Sequence, residues 1–544
     1  MFKKFFAALF ISLFCFLCLG CKKAELSVPV MDENLDNSFR YSAISKLPVL
    51  DPQKASTPQD NTAILYIQEP LVRMYNGKVE PGLAENWIIS EDRLVYTFNL
   101  RNAVWSDGRP ITAYDIEFSV KRLADPTTKS DNAWFVSYIK NGVECVSGEL
   151  ELNQLGVKAL DEGTIQFELE KPTEYFLQIL SNACYAPSRA DIVEQYKQNF
   201  ASCAVMNVYS GPFEVKNIEE NRIVLSRNEN YWNSDNIKLD YVEIVLAENY
   251  DTAVEMFNEN KVDCANIPDD LYETYKETAE KVFDGSTMFL RINENSGNEI
   301  VKDKNFKMAL NSSIDRSELC ASSGNIDIPS ERYIMKDIMG IDEKYSTEYP
   351  LQFYSKNSDS DKAKQYIDKV LEKFSCCAED IKIEILTSKE EQEVEYATIL
   401  QQQMEETLGI DVEILSVADD EKIEKEINGD FCIALDFWKA DYSDPYAFLQ
   451  IYRSDSFYNF GGYNKNNQGD FINNRYDELL DCAETTYGRQ RMNFLFEAEK
   501  SLMEDYAVIP LLDNQKVYIC DEDLQNIIFD FNGQLVDCTK AYWK

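Results

Sequence analysis

Histidine is absent from all 544 residues. That omission removes Ser-His-Asp and Cys-His catalysis, H-E-x-x-H zinc sites and imidazole general bases. Patterns of the G-x-S-x-G, Walker and G-x-G-x-x-G type are also missing, and a lone S-x-x-K from Ser137 to Lys140 lacks its S-D-N and K-T-G companions. The eleven cysteines from Cys145 to Cys538 contain no C-x-x-C. The chain is therefore expected to be no enzyme, with no cofactor and no metal. Positive charge is scarce as well: 54 Lys and Arg stand against 95 Asp and Glu, a net −41. No basic footprint remains for a phosphate backbone, so nucleic acid is not an expected partner. An acidic surface that is simply well solvated explains the charge; a field that gathers cationic ligands is the sharper reading.

Long apolar runs are missing too, apart from the start of the chain. Lys3 and Lys4 precede an apolar stretch from Phe5 to Leu19, followed by Gly20-Cys21 and Lys22-Lys23. The stretch is shorter than the roughly 20 residues a membrane span needs, and its flanks are those of an export signal over residues 1–20. Leu17-Cys18-Leu19-Gly20-Cys21 resembles a bacterial lipobox in which Cys21 is lipidated and becomes the new N-terminus, although Cys18 stands where Leu is usual. The expected location is the periplasm or the extracytoplasmic membrane surface, with the membrane held through that lipid. Cleavage nearby without lipidation is the plainer alternative. Export permits disulfides, but an odd set of eleven cysteines leaves at least one unpaired within the chain, and buried free thiols are equally compatible.

What is abundant is aromatic and aliphatic material. Hydrophobic residues make up 44% of the chain, with 31 Tyr and 30 Phe, enough for packed cores in two or three lobes. Leu94, Tyr96, Phe98 and Leu100 alternate as a half-buried strand, as do Ile165, Phe167 and Leu169, and Ile223 and Leu225. Thr112 with Asp115 predicts a capped helix whose Ile116, Val120 and Leu123 share a face. Helical spacing at Ile367, Val370, Leu371 and Phe374 precedes an alternating strand at Ile381, Ile383 and Ile385. A helix over 390–408, a strand over 412–415 and an apolar strand over 431–437 follow. Strand and helix in alternation favour an α/β lobe.

These segments together resemble the extracellular solute-binding proteins that serve ABC peptide importers, and within them the oligopeptide binders. The likeness runs through Leu50-Asp51-Pro52, Glu80-Pro81-Gly82-Leu83-Ala84-Glu85-Asn86-Trp87 and Tyr96-Thr97-Phe98-Asn99-Leu100-Arg101. It is most specific at Trp105-Ser106-Asp107-Gly108-Arg109-Pro110-Ile111-Thr112-Ala113-Tyr114-Asp115. It continues through Leu155-Gly156-Val157-Lys158-Ala159, Ser210-Gly211-Pro212-Phe213, Arg227-Asn228-Glu229-Asn230-Tyr231-Trp232, and Ala309-Leu310 with Ile314-Asp315-Arg316. It ends in Ala440-Asp441-Tyr442-Ser443-Asp444-Pro445 and Val508-Ile509-Pro510-Leu511. The resemblance implies an α/β fold of the periplasmic-binding-protein type II-like kind, with two hinged α/β lobes and an additional inserted lobe. Its expected boundaries are residues 31–65, 205–285 and 515–544 for lobe I, 66–204 for the inserted lobe II, and 286–514 for lobe III. It also implies a monomer that captures short peptides and hands them to an inner-membrane ABC permease. A surface receptor or adhesin on the same fold, or a binder of dipeptides, sugars or metal chelates, is the alternative.

A binder that tolerates many peptide sequences must pair with the main chain and with the cationic amino terminus, the features all peptides share. By resemblance, Asp441 takes the amino group, and Phe437, Trp438 and Lys439 face Ser56 and Thr57 across the cleft as backbone partners. Trp438, Trp134 and Phe135 are candidates for the walls of side-chain pockets. For Asp441 the plainer reading is a turn-forming aspartate, and for the aromatics it is core packing. Asp444, before Pro445 and an apolar run, reads as a helix N-cap. Where related binders carry an Arg six residues before the amino-binding Asp, this chain has Leu435 followed by Asp436, a neutral or acidic lining that cannot hold a ligand carboxylate.

Overall fold

A computed structural model describes residues 35–75, 77–463, 475–531 and 534–544. The expected export signal and Cys21 lie outside the described residues. Among the described residues no helix is long and apolar enough to cross a membrane.

The predicted alternations form sheet. Val95–Leu100 buries Tyr96 and Phe98, and Thr164–Glu168 buries Ile165 and Phe167. With Ala84–Ile89 and Val157–Asp161 they make a four-stranded antiparallel sheet. The helix Ala113–Ala124 starts at the Thr112/Asp115 capping box and lays Ile116, Val120 and Leu123 into the same core.

A second sheet has eleven strands and two ends of different character. At one end Ser38–Ile44 runs parallel to Tyr241–Ala247, which continues antiparallel into Arg222–Arg227 and Phe213–Ile218. Phe39, Tyr41, Leu225 and Ile244 from these strands pack with Ile64 and Tyr66 of the helix Pro58–Ile67. At the other end Asp411–Val417, Lys382–Ser388 and Ile433–Lys439 lie side by side. Ile383, Ile385, Ile433 and Leu435 pack there against Ile367 and Val370 of the helix Ser360–Phe374, and against Leu400 and Met404 of the helix Glu391–Leu408. The apolar strand begins at Ile433, two residues later than its composition predicts. The Phe431 carbonyl is taken by the Asn293 side chain at 2.7 Å, while pairing of Trp438 with Thr287 and of Lys439 with Ser286 carries the ladder further.

Two long antiparallel strands, Ala279–Ile292 and Val508–Cys520, join the ends. Their register breaks between Phe283 and Thr287, where Gly285 has φ +91°. A Cβ at Gly285 would stand 2.4 Å from the Phe531 ring, so both backbone angle and space demand glycine. We expect Gly285→Ala to lower the free energy of unfolding by about 1–3 kcal/mol, measured by urea denaturation. A change within about 0.5 kcal/mol would show that the break tolerates a side chain.

Candidate ligand-binding site

The strand Ile433–Lys439 has one paired and one open edge. The Ala440 amide donates to the Gly285 carbonyl at 2.9 Å. Alternation in an antiparallel ladder then turns the main-chain groups of Asp436, Trp438 and Ala440 toward Ala279–Ile292, and those of Phe437 and Lys439 away from it. On that other side Lys382–Ser388 pairs only at Ile433 and Ala434. Among the described residues the N–H and C=O groups of Phe437 and Lys439 have no strand partner, so a further extended chain can add there.

Asp441 follows directly. It lines a cavity of about 440 Å³ with Trp134, Tyr138, Trp438, Tyr446 and Tyr458. Trp134 is 42% exposed and stacks on the buried Phe135 at 3.9 Å. Phe135 thus supports the wall from behind and does not form it, correcting its expected place in the lining. Trp438 donates its indole N–H to the Ala447 carbonyl at 2.8 Å, which fixes the ring. Next to Asp441, Tyr442 stacks on Tyr175 with centroids 3.9 Å apart, and Ser443 and Gln178 exchange two hydrogen bonds. The turn that carries the carboxylate is therefore held from both sides.

Four charged side chains line this cavity: Lys171, Asp441, Arg453 and Asp455. Lys171 pairs with Glu484 at 2.6 Å, and Arg453 with Asp455 and Asp481 at 3.1 and 2.8 Å. Asp441 has no hydrogen bond or ion pair among the described residues. Its side chain is exposed at the cavity, and the protein packed around it displaces enough water to push its carboxyl up to about 6, opposed only by the charge of Lys439. Lys439 is exposed too, and the loss of part of its water pushes its ammonium down. An unpaired carboxylate beside aromatic rings suits an ammonium group, which gains both charge pairing and ring-face attraction.

The other sequence-predicted residues reach separate cavities. Thr57 and Lys439 line one of about 340 Å³, and Phe437 edges another of about 280 Å³; Asp284 and Lys516 belong to both. The N–H groups of Ser56 and Thr57 already donate to Asp60, at 3.1 and 3.0 Å, and the Thr57 carbonyl accepts from Asn61. The amides of that loop are spent on starting the helix Pro58–Ile67, and of the main-chain groups of Ser56 and Thr57 the Ser56 carbonyl alone has no partner among the described residues. Leu435 and Asp436 form no lining, contrary to expectation. Leu435 is fully buried in the core, and Asp436 is buried between Arg291 and Lys422, the latter at 2.7 Å. Asp444 is not the N-cap expected of it, since Pro445 holds that position and Asp444 lies one residue before it. It accepts from the Tyr446 amide at 2.8 Å and makes a buried bidentate pair with Arg491 at 2.7 and 2.8 Å, the helix itself being Tyr446–Leu449. Tyr138, Tyr446 and Tyr458 were not singled out by sequence, because nothing local distinguishes three among 31 tyrosines.

The two aspartates should respond oppositely to neutralisation. Because the Asp441 carboxyl in the folded chain titrates above its ordinary value of 3.8, native protein binds the extra proton, and stability falls as pH rises from 3.8 to about 6. Asp441→Asn is expected to raise the thermal midpoint of the unliganded protein at pH 7.5, with the gain vanishing by about pH 4. Asp444→Asn should instead cost about 3–5 kcal/mol by leaving Arg491 buried without its charge partner. Midpoints measured across pH check both, and a loss of stability in Asp441→Asn at neutral pH would contradict the isolation of that carboxylate.

Residues 78–460 match the model of the bacterial extracellular solute-binding proteins, family 5. The oligopeptide-binding protein OppA of Bacillus subtilis is 27% identical over 507 residues, covering 91% of this chain and 90% of its own. The periplasmic oligopeptide-binding protein OppA of Salmonella typhimurium is 28% identical, covering 86% and 85%. Among solved structures, a periplasmic oligopeptide-binding protein of Borrelia burgdorferi superposes with a TM-score of 0.68 at 26% identity, covering 93% of this chain and all of its own. The mixed α/β architecture is that of the type II-like periplasmic binding proteins. With the family model spanning well over half of its length, this chain belongs to family 5 of the bacterial extracellular solute-binding proteins.

Proposed function

We propose that the protein is the peptide-binding component of an ABC-type importer, and that it holds short peptides by main-chain pairing along Phe437 and Lys439 with the amino terminus at Asp441. The observation that carries this reading is the coincidence of an unpaired carboxylate in an aromatic cavity with an open strand edge two residues before it. Relatives named for oligopeptide binding support it. On this reading residues 31–65, 205–285 and 515–544 form one lobe, 66–204 an inserted lobe and 286–514 a third, with closure about the register break at Gly285. Export and lipidation at Cys21 would keep a monomer beside its permease.

Charge in the neighbouring cavity refines the ligand. From Asp441 back to Phe437 is four residues, about 13 Å, so the fourth or fifth peptide residue reaches the cavity edged by Phe437. Asp269, Asp327, Glu390 and Glu393 line it with Lys516, and burial pushes the Asp327 carboxyl up to about 6. Cationic side chains fit there.

Two titrations test the proposal. Asp441→Asn should weaken a free-amino tetrapeptide roughly 10–100-fold, the equivalent of a charge-assisted hydrogen bond, and leave its N-acetylated form nearly unaffected. Equal loss for both would remove Asp441 from this role. Pentapeptides with Lys at residue four or five should bind about 10-fold tighter than their Glu counterparts at low salt, converging as salt rises. Calorimetry that ranks Glu above Lys would contradict the proposed cationic preference.

A further inference from the structure

Cys264 and Cys520 face each other where the second long strand returns to the Ser38–Ile44 end of the large sheet. They are direct partners in the antiparallel ladder between Cys264–Ile267 and Val508–Cys520. The Asp521 amide donates to the Asp263 carbonyl at 2.8 Å, so 263/521 is a hydrogen-bonded pair. The next pair along, 264/520, is therefore a non-hydrogen-bonded one, the position where Cα atoms of an antiparallel ladder come closest, about 4.5 Å. That spacing lies within the range a disulfide spans. The sulfur atoms stand 2.6 Å apart, well inside the ~3.5–4 Å at which unbonded heavy atoms rest. Among the described residues no other two cysteines share a sulfur contact; Cys320 and Cys145, for instance, point to the carbonyls of Asp327 and Glu151.

We infer that Cys264 and Cys520 are joined by a disulfide once the protein is outside the cytoplasm, where an extracellular solute-binding protein works. The oxidant is a small or protein disulfide, R–S–S–R. The half-exposed Cys520 is the sulfur it can reach, and Cys264 is buried behind it. The Cys520 thiolate attacks R–S–S–R and releases one R–S⁻. The Cys264 thiolate then attacks the Cys520 sulfur of the mixed disulfide and releases the second R–S⁻. Both leaving thiolates take up the protons the two cysteines gave, so the protein loses two hydrogens and one R–S–S–R becomes two R–SH.

The bond has a structural consequence. The two cysteines are 256 positions apart, and the enclosed chain contains the open-edged strand Ile433–Lys439, Asp441 and nearly all of both long strands. One covalent link thus closes the whole segment that leaves through Ala279–Ile292 and returns through Val508–Cys520. It pins the returning strand to Cys264–Ile267 while leaving the break at Gly285 and the Asp441 cavity unrestrained.

The test uses full-length protein recovered from an oxidising compartment, or equilibrated with oxidised glutathione. Denatured samples are alkylated before and after reduction and mapped peptide by peptide. We expect the peptides carrying Cys264 and Cys520 to be linked in the unreduced digest and each to alkylate only after reduction. Reduction should also lower the thermal midpoint by about 5 °C in the wild type and leave C264S/C520S unchanged. Alkylation of both cysteines without reductant, or linkage of either to a third cysteine, overturns the inference. The peptide map reads the wild-type protein, so it decides the matter even if C264S/C520S folds poorly.

Discussion

The carboxylate of Asp441 opens into an aromatic-lined cavity without a counter-ion, while the other charged groups around that cavity find theirs inside the chain. Such a group is unbalanced in the empty protein. The imbalance is relieved either by a proton or by a cation brought from outside. A peptide amino terminus is a cation that arrives with an extended main chain attached, and the site offers an unpaired strand edge two residues away. On the proposed reading affinity and orientation have separate sources: the ammonium would fix where the peptide starts, and the main-chain pairing would fix its direction without reading its sequence.

The scaffold serves that arrangement. Asp441 stands just past the end of its strand because Ala440 is the last residue still bonded to Gly285. The following turn is anchored by the Tyr442–Tyr175 stack and by the Asp444–Arg491 pair, which hold the carboxylate at the cavity. Asp436, one of the charges nearest along the same strand, is already neutralised by Arg291 and Lys422 and leaves the cleft field to Asp441. The same glycine that receives the Ala440 bond breaks the register of the long strands. The site and the register break of the sheet therefore share a residue.

Strand periods and helix caps were legible in the sequence because each depends on neighbours a few residues apart. Tyr96 and Phe98, the Thr112–Asp115 box and the helix ending at Phe374 all lie where their spacing puts them. The family pattern located Asp441 and Trp438, and the structure brings both into one cavity with Trp134. What could not be read depends on distant pairing. The burial of Leu435, the Asp436 ion pairs and the Asp444–Arg491 bridge involve partners from Arg291 to Arg491, and the three cavity tyrosines come from separate segments. Ser56 and Thr57 illustrate the opposite case: the capping pattern Thr57-Pro58-Gln59-Asp60 is local, and it was legible evidence that their amides were already engaged.

A crystal structure of the protein with a bound tetrapeptide tests the assignment most directly. The peptide nitrogen should lie within about 3 Å of the Asp441 carboxylate, with main-chain hydrogen bonds to Phe437 and Lys439. An amino terminus placed elsewhere, or a cleft that accepts only a solute without a peptide main chain, would contradict it.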